Sequence, residues 1–238
     1  ALGGPWEYGW GPQDDEEALG AILEALDLGI NWIDTAPAYG LGHSEELVGR
    51  ALRQTTHRPY IATKCGILWN EKKEKVVHLK RDSIRRECHD SLRRLGVERI
   101  DLYQKHWPDP DPDIEEAWEE MARLVEEGKV RYIGVSNYSV AQMERVAKIH
   151  PIASLQPPYS MLRRDAEREL LGYCAKHGIG VVVYSPMQRG LLTGKFNAER
   201  LAALAPDDHR RRAPEFQEPQ FSATMELVDG LKRIAERN

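Results

Sequence analysis

The sequence predicts an α/β fold of the (β/α)8, TIM-barrel type, and three observations carry that expectation. Apolar, β-rich runs alternate with amphipathic helical patterns along the chain, which implies βαβ units, right-handed crossovers and a parallel sheet. No G-x-G-x-x-G fingerprint follows an early strand, and this weakens the competing doubly wound sheet. The unusual polar residues Asp34, Lys64, His106, Ser136, Asn137, Gln156 and Tyr184 stand at strand ends, where a barrel assembles its active site.

The elements follow in order. Strands are expected over 30–36 (INWIDTA), 59–65 (PYIATKC), 99–106 (RIDLYQKH), 131–136 (RYIGVS), 153–156 (ASLQ) and 179–185 (IGVVVYS). A helix over 81–95 places Ile84, Cys88, Leu92 and Leu95 on one face, with arginines opposite. A second over 114–126 aligns Ile114, Trp118, Met121 and Val125, behind Asp113 and Glu116 at capping-box spacing. Ser139 and Gln142 repeat that spacing before the helix of Met143 and Val146. A last helical pattern covers 222–237, and "ALGG" at 1–4 suits the tail of a further strand. Eight strands close such a barrel, so the pattern is short by about one and a half repeats and an incomplete barrel is expected.

Composition narrows the function. With 238 residues, 41% hydrophobic and 30% charged, the chain suits one soluble barrel domain over 1–238. A formal charge of -5 and the absence of a long basic stripe argue against a nucleic-acid footprint. The clusters Arg85-Arg86, Arg93-Arg94 and Arg210-Arg211-Arg212 are read as solvated helix faces or local anion contacts. No apolar run reaches membrane-spanning length and no signal-peptide pattern opens the sequence. Cys65, Cys88 and Cys174 are odd in number, widely spaced and outside any CxxC pair, so a cytoplasmic protein with reduced thiols and no metal is expected.

The stretch "NWIDTAPAYG" ends an apolar strand in Asp34 and carries Tyr39 into a loop. With Lys64 and His106 these residues form a chemically coherent set. An unperturbed tyrosine titrates near ~10 and is a poor proton donor at neutral pH. A neighbouring ammonium lowers that value, and a carboxylate keeps the ammonium charged and in place. A histidine nearby donates a hydrogen bond to a carbonyl oxygen. The set suits protonation of an oxygen that becomes negative as hydride reaches carbon. A hydrolase using paired carboxylates would need a second acid at a neighbouring strand end. Asp101 lies inside its strand and Asp109 follows a proline in a loop.

From "NWIDTAPAYG" through "IATKCG", "IDLYQKHWPDPD", "GKVRYIGVSN", "SLQPPYS" and "YSPMQRGLLTGKF", the chain resembles the aldo-keto reductase superfamily, and in particular bacterial members related to potassium-channel beta subunits. The resemblance implies a barrel that binds NADPH (NADP+) across its C-terminal face and reduces aldehydes or ketones to alcohols. It implies Tyr39 as general acid/base, tuned by Lys64 and Asp34, with His106 orienting the carbonyl. It further implies Ser136, Asn137 and Gln156 as partners of the nicotinamide carboxamide, which Asp34 adjoins, and Tyr184 as the ring that stacks on the nicotinamide. The segment Ser185 to Lys195, with Pro186, Met187, Arg189, Gly190 and Lys195, resembles the loop that carries the pyrophosphate, and one of Arg210–Arg212 would join it. Trp6, Trp10, Trp69 and Trp107 are candidate substrate-pocket walls, Trp107 and Trp69 foremost, around a small carbonyl substrate.

Set against that pattern, the chain is expected to be truncated at both ends, without the last strand and the adenosine part of the cofactor site. Weak cofactor binding follows, with preference between NADPH and NADH left open. Open sheet edges invite pairing, so a homo-oligomer covering them is expected. Two readings remain: a working reductase, or an impaired fragment or non-catalytic cofactor-binding, regulatory subunit of the same fold.

Overall fold

The structure is a computed structural model and describes residues 4, 6 and 11–237. Eight helices and eight strands are named among them. In chain order these are α1 (Asp15–Asp27), β1 (Trp32–Asp34), α2 (His43–Gln54), β2 (Tyr60–Cys65), β3 (Ile67–Trp69), β4 (Lys75–Val77), α3 (Arg81–Leu95), β5 (Ile100–Lys105), α4 (Ile114–Glu126), β6 (Val130–Ser136), α5 (Val140–Val146), β7 (Ser154–Gln156), α6 (Leu170–His177), β8 (Gly180–Val181), α7 (Ala198–Ala202) and α8 (Gln220–Ala235). Short 3₁₀ turns join several of them.

Six strands form one sheet in the order β1-β2-β5-β6-β7-β8, and every neighbouring pair is parallel. The result is a curled parallel half-barrel with helices on its convex side, consistent with the (β/α)8 expectation. Five of the six expected strands lie within a residue or two of their sequence ranges. The sixth is shorter than 179–185: only Gly180–Val181 pairs with β7, and Tyr184 returns as a single bridge to Pro158. Pro157 and Pro158, which have no N–H to give a ladder, explain the interruption. The four residues of "ALGG" fall mainly outside the described residues, as does Trp10.

The strands alternate strictly. On β2, Thr63 and Cys65 turn toward helices, where they meet Glu45 of α2 and Met121 of α4. Lys64, between them, turns to the concave side and meets Asp34. The helices bury the faces their periodicity predicts: Ile84, Cys88, Leu92 and Leu95 on α3, and Ile114, Trp118 and Met121 on α4. These join Leu19, Ile22, Val48, Ile100, Tyr103, Ile133 and Leu155 in one core between helices and sheet. A second, smaller core of Leu191, Phe196, Ala213, Phe216 and Phe221 holds together the segment after β8.

Two caps come out differently from each other. Ser139 and Gln142 form a reciprocal capping box at α5. Asp113 makes no capping hydrogen bond at α4; its carboxylate binds Lys80, and Glu116 binds Lys80 and the Arg81 backbone N–H. The Lys80 ammonium and the Arg81 backbone N–H, at the start of α3, outcompete the local cap. Arg94 likewise is not on a solvated face: it bonds the fully buried Glu45 at 2.7 Å.

The β3–β4 hairpin was not foreseen from sequence. Its strands are short, its turn is "NEKKE", and neither shows a sustained alternation. Gly66 opens it at φ +90°, and an added Cβ would lie 2.8 Å from Leu79, so both conformation and space require glycine there.

Candidate active site

Parallel register gathers the strand ends. Asp34 aligns with Ala62, Lys64 with Gln104, Gln104 with Gly134, and Ser136 with Gln156. The C-terminal ends of β1, β2, β5, β6 and β7 therefore open onto one cleft of about 700 Å³.

At its floor Lys64 is fully buried and donates to both Asp34 carboxylate oxygens, at 2.9 and 2.8 Å, and to the Thr35 carbonyl at 3.0 Å. Three acceptors for three ammonium protons leave this buried charge satisfied. Its Nζ also lies 5.2 Å from the Tyr39 ring centroid. Burial opposes the Lys64 charge, but the facing Tyr39 and Asp34 outweigh it and hold the pKa above the ordinary lysine value. The His106 ring meets Tyr39 edge to face, centroids 5.9 Å apart at 88°. Burial first, then Lys64 and Lys75, hold His106 well below the ordinary imidazole value. It is therefore neutral at physiological pH and keeps one ring N–H to donate.

The loop that carries Tyr39 is fastened at both sides. Thr35 Oγ1 donates to Ser44 Oγ at 2.9 Å, and the Ser44 N–H donates to the Tyr39 carbonyl at 3.2 Å. Ala36, Ala38 and Ile67 pack beneath Trp6 and Tyr39.

The amide-bearing residues form a chain along the next strands. Gln156 Nε2 donates to Asp34 at 3.3 Å, and Ser136 Oγ donates to the Gln156 carbonyl at 2.8 Å. Asn137 Nδ2 donates to Ser136 Oγ and to the His106 carbonyl, while Tyr184 Oη donates to Asn137 Oδ1 at 2.9 Å. Ser185, Pro186, Met187, Arg189 and Gly190 continue the wall of the same cleft, opposite Trp107.

Of the residues singled out in the sequence, this cleft therefore brings together Asp34, Tyr39, His106, Trp107, Ser136, Asn137, Gln156, Tyr184, Ser185, Pro186, Met187, Arg189 and Gly190, with Lys64 bound beneath Asp34. Three residues stand elsewhere. Lys195 lines a separate depression with Phe196, Phe221 and Lys232. Trp69 packs edge-on against Trp6, centroids 6.1 Å apart, and neither is among the cleft-lining residues. In the arginine run, Arg210 is held by Asp208 at 2.6 Å and Arg211 by the Ala202 and Leu204 carbonyls; the run's neighbour His209 is the one that reaches the cleft.

Three contributors were missed. Gln104 donates to Asp34 at 3.4 Å; a polar residue at the centre of a buried strand was the available signal. Arg163 lines the cleft from a loop and His209 from the start of the 3₁₀ turn His209–Arg212, both without a periodic pattern around them. Among the described residues, no helix is long and apolar enough to cross a membrane and no group of side chains could hold a metal ion.

Comparison with known proteins places the chain. The Aldo/keto reductase family profile matches residues 2–238. Aldo-keto reductase YhdN of Bacillus subtilis is 41% identical over 238 residues, covering 98% of this chain and 71% of its own length. The glycerol dehydrogenase AKR11B4 from Gluconobacter oxydans superposes with a TM-score of 0.87 at 43% identity, covering 98% of this chain and 71% of that one. An aldo/keto reductase from Klebsiella pneumoniae, solved with NADP and acetate, superposes with a TM-score of 0.67 at 30% identity, over 84% of this chain and 68% of that one. A parallel half-barrel with this set of strand-end residues and a match along nearly its whole length makes the chain a member of the aldo/keto reductase family, and so an oxidoreductase.

Proposed function

We propose that the protein reduces small aldehydes or ketones to alcohols with NADPH, with Tyr39 as the proton donor. The observation that carries the reading is the buried Lys64–Asp34 pair beneath Tyr39, with neutral His106 against the same ring.

The cleft suits a nicotinamide cofactor. Asn137 and Gln156 offer both amide donors and carbonyl acceptors to a carboxamide, and Tyr184 presents an aromatic wall beside them. Arg163 and Arg189 give the far side of the cleft its positive groups, with His209 beside them, as a diphosphate requires. Arg189 is paired with Glu215 at 3.2 Å and would exchange that partner for phosphate. When bound, the cofactor supplies the hydride that reduces the carbonyl carbon.

The protein's own residues handle the oxygen. His106, donating its ring N–H, orients the carbonyl oxygen toward Tyr39. Tyr39 Oη gives up its proton as negative charge develops on that oxygen. Lys64 remains ammonium throughout and stabilises the resulting phenolate, while Asp34 holds Lys64 in place; the charge that matters is thus preorganised rather than recruited. Trp107 and Met187 line the same cleft beside these residues. The cleft of about 700 Å³ suits a small carbonyl substrate, in line with a relative named for glycerol.

Turnover of NADPH with 4-nitrobenzaldehyde, followed by the loss of nicotinamide absorbance, tests the reading. Consumption that saturates in both substrates is expected, and its absence at saturating NADPH defeats the assignment in favour of a cofactor-binding role without catalysis.

A further inference from the structure

Behind the catalytic strands, on the helix side, lies a buried carboxylate that the proposed mechanism does not use. Glu87 of α3 is 2% exposed. Its Oε2 accepts the Gly66 backbone N–H at 2.8 Å, and its Oε1 accepts Ser83 Oγ at 3.1 Å. Lys105 of β5, fully buried and with an ammonium that has no hydrogen-bond partner among the described residues, faces it.

The bond to Gly66 falls where the sheet ends. β2 pairs with β5 as far as Cys65 and Lys105. At Gly66 the chain leaves the ladder with a positive φ, and its N–H points away from any strand. A buried backbone donor needs an acceptor, and Glu87 supplies it. The carbonyl of the same peptide group, that of Cys65, accepts the His106 backbone N–H at 3.0 Å. One planar peptide is thus clamped by Glu87 on one side and tethers His106 on the other. Lys64 precedes this peptide by one residue, so both catalytic neighbours of Tyr39 depend on its orientation.

We infer that Glu87 is a positioning residue: by holding the Cys65–Gly66 peptide it sets the places of Lys64 and His106 at the floor of the cleft. The inference rests on the reductase reading for its kinetic consequence, but not for its geometric one. What matters is the reach of the acceptor rather than its charge, and this separates it from a role as a mere counter-ion to Lys105.

Two variants distinguish these. In Glu87→Gln the amide oxygen still accepts from Gly66 and the amide N–H₂ meets Ser83 Oγ. In Glu87→Asp the charge is kept but the acceptor is withdrawn by about 1.5 Å. The expected order places Glu87→Gln within about threefold of the parent in kcat and Glu87→Asp at least about tenfold below it. NADPH affinity, measured by quenching of tryptophan fluorescence, should stay within about twofold in both, because the cofactor-facing residues lie on β6, β7 and the segment after β8. The His106 ring resonances, assigned by their loss in His106→Gln, should be displaced in Glu87→Asp and unmoved in Glu87→Gln. If Glu87→Asp does not fold, Ser83→Ala takes its place: it removes the second anchor of the carboxylate and loosens its hold on Gly66, with a smaller displacement of the same resonances and a fall in kcat of about two- to fivefold expected. The inference is overturned by the reverse kinetic order, by equal kinetics in the two variants, or by unmoved His106 resonances in the variant that releases Gly66. A parent enzyme without turnover would refute the reductase reading alone, and the resonances would then decide this one.

Discussion

Lys64 keeps a full charge in a position with almost no contact with water, and this requires everything around it to be in place. Asp34 supplies two oxygens and Thr35 a third. Removing one partner of a buried pair leaves the other uncompensated. Lys64→Met should therefore reduce kcat/KM for an aldehyde by about 10²-fold or more, within the range expected when proton transfer is disabled. A parallel measurement of NADPH binding should show little change, since Lys64 lies beneath the cleft-lining residues. At this scale Asp34, Tyr39, Lys64 and His106 were legible because each interrupts an apolar strand or follows its end. Glu45 and Glu87 were not legible for the opposite reason: polar residues at periodic helix positions look like solvated ones until the fold buries them. Lys195, five residues beyond Gly190, lines a depression separate from the cleft that Arg189 and Gly190 line.

At the scale of elements, α2 and α3 are locked together next to the site. Glu45, 0% exposed, accepts from Thr63 Oγ1 at 2.6 Å and from Arg94 Nε at 2.7 Å. Thr63 adjoins Lys64, and Ser44, next to Glu45, holds the Tyr39 loop. Gly49 lets the two helices approach, because a Cβ there would overlap the Arg94 carbonyl. Arg94→Met leaves the Glu45 carboxylate buried without its cation and should cost about 3 kcal/mol in unfolding free energy, read from urea denaturation. Glu45→Gln/Arg94→Met together should recover much of that loss, because the uncompensated charge is gone. The helices themselves were readable from their 3.6-residue spacing, since α3 and α4 bury the very faces that spacing marks. The β3–β4 hairpin was not, because strands of three residues around a charged turn have too few positions to show a period.

For the whole molecule, buried groups give stability opposing dependences on pH. Burial, opposed by hydrogen bonds from Gly66 and Ser83 and by the charges of Lys105 and Arg86, pushes the Glu87 carboxyl up to about 7 from 4.5. Its contribution to stability is present in full below the ordinary carboxyl value and is lost as pH rises toward 7. His106 is shifted the other way, so its contribution is present above 6.5 and is lost as pH falls. Lys105, lowered to about 8 by burial, adds a contribution present above its ordinary 10.5 and lost as pH falls through 8. Comparison with Glu87→Gln isolates the first effect. Relative to the parent, that variant should gain in urea midpoint as pH is raised from about 5 to 7.5; a constant difference across the range would contradict the buried, high-pKa carboxyl. The parallel sheet was foreseeable from strand–helix alternation. The placing of residues beyond β8 was not, because the chain there runs through 3₁₀ turns around a few aromatic residues with no periodic pattern.

The account as a whole depends on one hydroxyl. Tyr39→Phe deletes it while leaving the ring against His106 and over Lys64. The decisive measurement is steady-state kcat for NADPH-dependent aldehyde reduction by parent and variant, with NADPH affinity determined on the same samples. The prediction is an unchanged NADPH affinity and a kcat lowered by about 10²- to 10⁴-fold. A variant that turns over aldehyde as fast as the parent would contradict the assignment of Tyr39 as the proton donor.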